Sequence, residues 1–177
     1  PARAGVLHVF LMRKDDEEIA APPDTKRMYE KVRRPTDGIV MPWDYLPYEP
    51  SLRPVENPTV PLDYAEGETL VHLVGHYLGL LHTYEPWPGV EIRCTRRCEQ
   101  ISDRVRDTPV HIRTPTESCR VADSCPQYPG LDPVHNYMTA EPDSCTSEFT
   151  AGQIERMERM VRPFRPHFIV PAPASPP

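Results

Sequence analysis

Three histidines within eleven residues constrain this chain more than any other feature of its sequence. The segment HLVGHYLGLLH places them at His72, His76 and His82. Residues four apart lie above one another on one face of a helix, so His72 and His76 can bind one metal ion. Gly79 can adopt a positive φ, which lets the chain turn out of the helix and bring His82 back as a third ligand. Three imidazoles with a fourth coordination position left open are typical of a zinc site.

The composition indicates one loop-rich domain and argues against two other classes of protein. The 177 residues include 24 prolines, which are rare inside helices and central strands. The formal net charge of -6 and the lack of a basic stripe argue against nucleic-acid binding. No apolar stretch is long enough to span a membrane. We expect a single domain over residues 1–168 and a disordered, Pro-rich tail over residues 169–177.

Two short apolar segments predict β-strands ahead of the histidines. Residues 5–12, GVLHVFLM, form a continuous apolar run that is typical of a buried strand. Residues 38–43, GIVMPW, predict a second strand at a sheet edge, because Pro42 cannot donate a ladder hydrogen bond. Residues 24–34 predict a short helix. The many prolines of residues 45–62 predict a surface loop.

Two longer helices are predicted at and after the histidines. Residues 66–78 predict the helix that carries the first two histidines, ended by the glycine that follows it. Thr150 and Gln153 form a T-x-x-Q capping box that opens the second helix. Pro163 and Pro166 predict where this second helix ends, because proline cannot continue the helical hydrogen bonds.

All five cysteines lie between residues 94 and 145, in a stretch rich in turn residues. This pattern predicts a lobe stapled by disulfides in a secreted, extracellular protein. A cysteine-based zinc site is the alternative, but no close C-x-x-C pair supports it. The residues alone leave the pairing of the cysteines open.

The histidine segment resembles the long zinc signature of the metzincin peptidases, HExxHxxGxxH. Its surroundings, TLVHLVGHYLGLLHTYE, look most like the pappalysin family of metzincins. Three downstream segments resemble that family in order: DRVRDTP at 103–109, GLDPVHNYM at 130–138 and EFTAGQIERM at 148–157. The resemblance implies an α+β, zincin-like fold. In it, a small upper sheet and an active-site helix lie over a loop-rich, disulfide-stapled lower subdomain that ends in a helix.

The resemblance also locates two departures from active members of the family. By resemblance, Met138 is the Met-turn residue that lies beneath the metal. The general-base glutamate after the first histidine is replaced by Leu73, and a tyrosine that helps to stabilise the oxyanion is replaced by Ala140. Loss of one general base typically lowers a rate by about 10²–10⁴-fold. We therefore predict a pseudoprotease that keeps zinc and binds a peptide or protein without cleaving it.

Two alternatives to the pseudoprotease stay open. The first is a working zinc endopeptidase in which Glu66 or Glu68 supplies the carboxylate. Glu68 lies four residues before His72, one turn toward the helix start, which makes it a poor substitute for the missing base. The second is a purely structural zinc domain, which the open coordination position of metzincin sites disfavours.

The resemblance implies two disulfides, Cys98–Cys125 and Cys119–Cys145. Cys94 is then left over. It is a free thiol, an intermolecular link or the true partner of Cys125.

The resemblance further implies roles for several oxygen ligands. Asp103 and Thr108, with the carbonyl of Val105, align with a calcium site of some relatives, and hard oxygen ligands suit calcium. A capped turn before Pro109 explains the same residues. Asp143 aligns with a residue beneath the primed-side specificity pocket, where a carboxylate would favour basic substrate side chains. It fits a simple turn residue as well.

Members of the family usually carry more strands and a long backing helix before the strand predicted at residues 5–12. Little of this chain matches them, and the segment 24–34 is too short to replace that helix. The resemblance therefore implies either a reduced upper subdomain, or a partner or other chain that covers the exposed core.

Overall fold

The computed structural model describes residues 6–12, 38–47, 66–84, 101–113, 119–164 and 166–168. They contain two strands, β1 (His8–Met12) and β2 (Gly38–Pro42), and two α-helices, α1 (Glu68–Tyr77) and α2 (Ala151–Phe164). Short 3-10 helices lie at Trp43–Tyr45, Asp143–Cys145 and Pro166–Phe168. This arrangement is the α+β class predicted from the sequence. Neither described helix combines the length and apolarity needed to cross a membrane.

Several predictions fall outside the described residues. They concern the short helix at 24–34, most of the surface loop at 45–62, the tail at 169–177, and Cys94 and Cys98.

The two strands are parallel, in a register that runs from His8 opposite Gly38 to Met12 opposite Pro42. Ile39 and Met41 of β2 are buried and pack against Leu73 and Tyr77 of α1. This cluster is the hydrophobic core beneath the sheet. The second strand ends at Pro42, within one residue of its predicted end.

Strand β1 is where the sequence prediction was wrong about burial. Its apolar run predicts a buried strand, yet Val9 is 38%, Phe10 37% and Leu11 51% exposed. The reason is that α1 packs against β2, so the apolar side chains of β1 lie beyond the helix that covers its neighbour. A continuous apolar run predicts the strand but not what covers it.

The helix α1 begins two residues later than predicted, and a distant carboxylate binds the two residues that lead into it. Asp143 Oδ2 accepts hydrogen bonds from the backbone N–H groups of Glu66 and Gly67, at 3.1 and 3.2 Å. Its Oδ1 accepts the hydroxyl of Thr69 at 2.8 Å. A carboxylate at a helix N-terminus satisfies unpaired donors and favours the helix dipole.

The end of α1 confirms the predicted glycine turn. Gly79 has φ +99, and its amide donates to the carbonyl of His76 at 2.9 Å. The next amide, Leu80 N–H, donates to the carbonyl of Gly75 at 2.9 Å. Such a left-handed residue just after a helix is nearly always glycine, because other side chains are strained there.

The capping box of α2 is also confirmed. Gln153 N–H donates to Thr150 Oγ at 3.1 Å, and Thr150 N–H donates to Gln153 Oε1 at 2.9 Å. The end of the helix differs from the prediction, since Pro163 lies inside it and the helix continues to Phe164. Pro163 removes only the hydrogen bond that its own N–H would donate, and a single helical residue follows it.

The lower lobe, residues 101–113 and 119–150, is held mainly by hydrogen bonds between irregular segments. Asn136 and Gln153 exchange two side-chain hydrogen bonds, at 2.7 and 2.9 Å, and thereby join the lobe to α2. Cys119 and Cys145 form a disulfide with their Cα atoms 5.1 Å apart, as the resemblance implied. Cys125 is disulfide-bonded as well, but its implied partner Cys98 lies outside the described residues.

Candidate metal centre

The structure brings the three histidines of the sequence motif together. One ring nitrogen from each of His72, His76 and His82 lies within 4.8 Å of the others. His76 and His82 are buried, at 3% and 6% exposure, and His72 is partly buried. Among the described residues, this is the one group of three metal-ligating side chains that is so closely spaced.

Two of these rings are oriented by backbone carbonyls on the side away from the cluster. Nδ1 of His72 lies at the carbonyl of Tyr137, and Nδ1 of His76 lies 3.0 Å from the carbonyl of Leu80. When Nδ1 donates to a carbonyl, Nε2 keeps a lone pair that is free for a metal. The first carbonyl comes from the lower lobe and the second from the turn after α1.

Burial keeps all three imidazoles in the neutral form that binds metals. It lowers the pKa of His72 and, together with the neighbouring histidines, lowers the pKa of His76 well below its usual value. Burial, followed by His72 and Arg113, lowers the pKa of His82 to about 3. Metal ligands must be deprotonated, so no proton has to leave these rings at neutral pH.

The spacing of the nitrogens fits a tetrahedral metal. Nε2 of His76 lies 3.1 Å from Nε2 of His82. Two nitrogens that each lie about 2.0–2.1 Å from one tetrahedral zinc ion are about 3.3–3.4 Å apart. The residues present therefore suit a zinc ion held by three nitrogens.

The position next to the first ligand offers no base. Leu73 is 7% exposed and belongs to the core cluster with Ile39, Met41 and Tyr77. Ala140 is partly buried and lines a small cavity together with Tyr84 and Glu141. Neither side chain can exchange a proton with a substrate or a water molecule.

Met138 lies under the ligand-bearing helix. Its side chain is fully buried, and its sulfur occupies the space that a side chain at Gly75 would need. Its amide donates to Asn136 Oδ1 at 2.9 Å, and its carbonyl accepts the amide of Thr83 at 3.1 Å. The Met138 turn therefore contacts both α1 and the residue that follows the third ligand.

Asp143 is not one of the three grouped ligands, but its charge acts on His72 and partly opposes the lowering of the pKa of that ring. Asp143 is 4% exposed, and its carboxylate holds the start of α1 as described above. The predicted role in substrate specificity stays a prediction.

The residues of the predicted calcium site do lie together. Asp103 Oδ1 accepts the amide of Val105 at 3.0 Å and the hydroxyl of Thr108 at 2.7 Å. Asp103 Oδ2 is buried and has no hydrogen-bond partner among the described residues. Burial raises the pKa of Asp103, against the opposing effect of these hydrogen bonds.

His111 lies near the metal centre, although no sequence pattern pointed to it. It is 4% exposed, and its Nε2 lies 2.7 Å from the hydroxyl of Thr83. Burial lowers its pKa, and the Asp132 carboxylate opposes this shift. A lone histidine in a loop carries no spacing signal, so only the three-dimensional contacts reveal it.

Curated relatives of this chain include proteins named extracellular metalloproteases. One from Arthroderma benhamiae is 43% identical over 104 residues, which cover 58% of this chain and 32% of the relative. One from Pyricularia oryzae is 44% identical over 100 residues, which cover 56% of this chain and 31% of the relative. The chain thus spans about a third of the length of these relatives.

Two similar solved structures come from Tannerella forsythia. Mature mirolysin in complex with a cleaved peptide has a TM-score of 0.52 and 23% identity, over 86% of this chain and 50% of that chain. A promirolysin mutant has a TM-score of 0.56 and 22% identity, over 92% of this chain and 48% of that chain. At this identity the likeness shows the fold alone, and it confirms the predicted metzincin-like fold.

The family comparison covers the centre of the chain. The Peptidase_M43 family model, described as "Pregnancy-associated plasma protein-A", matches residues 59–162. The match includes the three histidines, the Met138 turn and most of α2, and it extends over more than half of the sequence. The chain therefore belongs to the pappalysin family of metallopeptidases.

Proposed function

We propose that this domain is a zinc-binding pseudoprotease, which keeps the metal centre of its family, has lost hydrolysis, and binds a peptide or protein beside the metal. One observation carries the proposal. The three ligands are assembled, whereas the general-base position is filled by Leu73, whose side chain is buried in the core.

His72, His76 and His82 would hold the zinc ion, with the carbonyls of Tyr137 and Leu80 fixing two of the rings. Zinc held there would supply Lewis-acid chemistry. Hydrolysis also needs a group that takes a proton from water and delivers it to the leaving amine. Neither Leu73 nor Ala140 can do this, so a bound peptide would remain intact.

The alternative is an active endopeptidase with Glu68 as its base. Glu68 Oε2 is buried and has no hydrogen-bond partner among the described residues. Glu68 is the first residue of α1, four residues before His72, so its carboxylate lies one turn toward the helix start. A Glu68→Gln variant tests this alternative, because it keeps the shape of the side chain and removes the base.

The main experiment measures metal content, cleavage and peptide retention of the zinc-loaded protein. We expect one zinc per chain, no cleavage of a quenched-peptide library, and recovery of intact peptides from the immobilised protein. Peptide hydrolysis at rates typical of an active metallopeptidase would overturn the proposal. If that activity disappeared in Glu68→Gln, the alternative would be established.

A matched pair of variants tests the role of Leu73. Leu73→Glu introduces a base, whereas Leu73→Gln introduces a polar group of the same size that cannot accept the proton. We expect cleavage in Leu73→Glu alone. Both variants place a polar group in the core, so their unfolding transitions are measured first.

A purely structural role for zinc makes a different prediction. If zinc only held the fold together, chelation would unfold the domain. We expect the domain to keep most of its circular dichroism after chelation, because the disulfide and the buried hydrogen bonds of the lower lobe do not involve the metal.

We also propose that the protein acts outside the cell. The disulfides of the lower lobe are stable in an oxidising compartment, and the curated relatives are named extracellular metalloproteases. Detection of the native protein in the culture medium, with its cysteines oxidised, would be the expected result. Its retention in the cytosol with reduced cysteines would contradict this location.

Calcium binding at Asp103 is a further part of the proposal. Its support is the buried Oδ2 without a hydrogen bond, beside the carbonyl of Val105 and the hydroxyl of Thr108. Calcium is expected to raise the Tm of the protein but not that of an Asp103→Asn variant. If calcium leaves both Tm values unchanged, the turn is only a capped turn.

Finally, we propose that another polypeptide covers β1. The exposed Val9, Phe10 and Leu11 support this, because parallel strands are usually covered on both faces. A monodisperse monomer that unfolds cooperatively without any partner would contradict it.

A further inference from the structure

A buried polar connection runs from the third ligand into the lower lobe. Thr83 follows His82 directly and is 2% exposed, and His111 is 4% exposed. The hydroxyl of Thr83 lies 2.7 Å from Nε2 of His111. Buried polar groups need hydrogen-bond partners, and each of these two side chains supplies one for the other.

Thr83 is held from the opposite side by the Met138 turn. Its N–H donates to the carbonyl of Met138 at 3.1 Å, and its hydroxyl lies 3.4 Å from the same oxygen. His82 lies after the end of α1, so helical hydrogen bonds do not fix its backbone as they fix the other two ligands. The position of His82 therefore depends on how firmly the next residue is held.

The rings beside His82 make a second connection to His111. The His82 ring stacks on Tyr84, with centroids 4.8 Å apart and planes within 8°. Tyr84 also contacts His111, whose ring stands edge-on with its centroid 6.0 Å away. The guanidinium of Arg113 lies 5.5 Å from the centre of the Tyr84 ring. His111 thus supports both residues that follow the third ligand.

The backbone at His111 is itself anchored in the cysteine-rich lobe. The amide of Ile112 donates to Ser124 Oγ at 2.9 Å. The hydroxyl and the amide of Ser124 both donate to Asp132 Oδ1, at 2.9 and 3.0 Å. Ser124 directly precedes Cys125, which is disulfide-bonded. The backbone beside His111 is therefore hydrogen-bonded to a segment that is itself joined to a disulfide.

From these contacts we infer that His111 is a positioning residue for the third metal ligand, His82, and acts through Thr83 and Tyr84. The inference rests on the proposed metal binding and adds a residue to it. His111 does not bind the metal, and it holds the loop that presents His82. Outer partners of metal ligands typically change metal affinity by about 10–100-fold when they are removed. For His111, which acts through one intervening residue, we expect a loss near the lower end of that range.

The test uses two matched pairs of variants. His111→Leu removes the hydrogen bond to Thr83, whereas the amide of His111→Gln can reach the same hydroxyl. Thr83→Val removes the hydroxyl at nearly constant shape, whereas Thr83→Ser keeps it. The zinc Kd is measured by competition with a chromophoric chelator, and the visible spectrum of the cobalt-loaded protein reports the ligand geometry. Circular dichroism checks the fold of each variant.

We expect His111→Leu and Thr83→Val to bind zinc about tenfold more weakly, with altered cobalt spectra, and the Gln and Ser variants to stay near the parent. If His111→Leu does not fold, Thr83→Val and Thr83→Ser carry the test. Unchanged zinc affinity and unchanged cobalt spectra in both disruptive variants would overturn the inference and leave the proposed function standing. Absence of zinc binding by the parent protein would overturn both.

Discussion

The upper layer and the lower lobe of this domain are stabilised in different ways. In the upper layer, β2 and α1 bury a small apolar cluster, while β1 leaves its apolar side chains largely exposed. In the lower lobe the buried side chains are mostly polar or charged, and they include Asp103, Thr108, His111, Asp132, Asn136, Thr139, Glu141, Asp143 and Thr146. The lower lobe is thus held by specific hydrogen bonds and disulfides. The upper layer is held by the burial of apolar side chains, which is not directional.

The metal centre lies where these two regions meet. His72 and His76 belong to α1, whereas His82 lies on the loop tied to the Met138 turn. The difference teaches that a small domain can form a precise site without a large core, if its irregular half is cross-linked and its polar groups are paired. It also predicts that the lobe is sensitive to conservative changes and that the outer strand is tolerant.

The largest effect is expected from loss of the disulfide. Replacing Cys119 and Cys145 together by serine removes a link between residues 26 apart in sequence. Loss of a native disulfide from a small domain typically costs about 2–5 kcal/mol of unfolding free energy. Urea denaturation measures the loss. Cys94→Ser serves as the control, and a similar loss there would indicate that Cys94 takes part in the second disulfide.

Gln153→Leu should have the next largest effect. The Gln153 side chain is completely buried and bonds both Asn136 and the amide of Thr150. An unpaired buried polar group costs about 1–3 kcal/mol, and the substitution leaves partners unpaired. A double-mutant cycle with Asn136→Ala should give a coupling free energy of about 0.5–3 kcal/mol. Strictly additive effects would contradict the described amide pair.

Gly79→Ala should destabilise the turn that follows the second ligand. Gly79 has φ +99, and a Cβ there would lie 2.9 Å from the side chain of Met160 on α2. A left-handed conformation costs a non-glycine residue about 1–2 kcal/mol. We expect a loss of that size by thermal unfolding, and weaker zinc binding because this turn leads to His82. Asparagine tolerates this φ value better than alanine does. If Gly79→Asn is as stable as the parent protein, the contact with Met160 contributes little to the loss in Gly79→Ala.

Asp107→Asn tests a weaker, exposed contact between the lobe and α2. Asp107 Oδ1 accepts the Thr150 hydroxyl and Oδ2 accepts the Gly152 amide, both at 2.8 Å. The pKa of Asp107 is lowered. Slight burial acts to raise it, but the hydrogen bonds from Gly152 and Thr150 outweigh that effect. The contribution to stability is therefore present above the unfolded pKa and lost as the pH falls through the folded pKa. Because the carboxylate is exposed, we expect Asp107→Asn to lower the unfolding free energy by less than about 1 kcal/mol at pH 7. At strongly acidic pH the substitution should have almost no effect.

The smallest effect is expected on the outer strand. Leu11 is 51% exposed and Ile39, on the paired strand, is 3% exposed. Leu11→Ser should change the unfolding free energy by no more than about 0.5 kcal/mol, as for other exposed positions. Ile39→Ser is the matched control and should be far more destabilising. If Leu11→Ser is as damaging as Ile39→Ser in the isolated chain, this chain itself covers β1, and the contrast between the two regions is weaker.

The elements predicted correctly from the sequence have local causes. The turn at Gly79 and the capping box of Thr150 and Gln153 are set by residues within five positions of one another. The histidine spacing also follows from one helix and one turn. Such patterns are visible in a single segment because the interacting groups are neighbours in sequence.

The features missed in the sequence depend on distant contacts. Asp143 binds the backbone just before α1 from 76 residues away, and His111 reaches Thr83 across 28 residues. The exposure of β1 depends on where α1 packs, and the apolar run contains no information about that. No local pattern encodes which remote side chain will complete a site, so these contacts could not be derived from spacing.

The burial of Leu73 affects which substitutions the domain tolerates at the position of the general base. Its side chain fills the space between α1 and β2, beside Ile39, Met41 and Tyr77. A glutamate that turned toward the metal would empty that space, and emptying a buried leucine site costs about 2–5 kcal/mol. Under the proposed function, introducing a catalytic base by replacing Leu73 alone would therefore weaken folding before any benefit appeared. A stable variant with a glutamate at this position would first need other substitutions that refill the core around Ile39 and Met41.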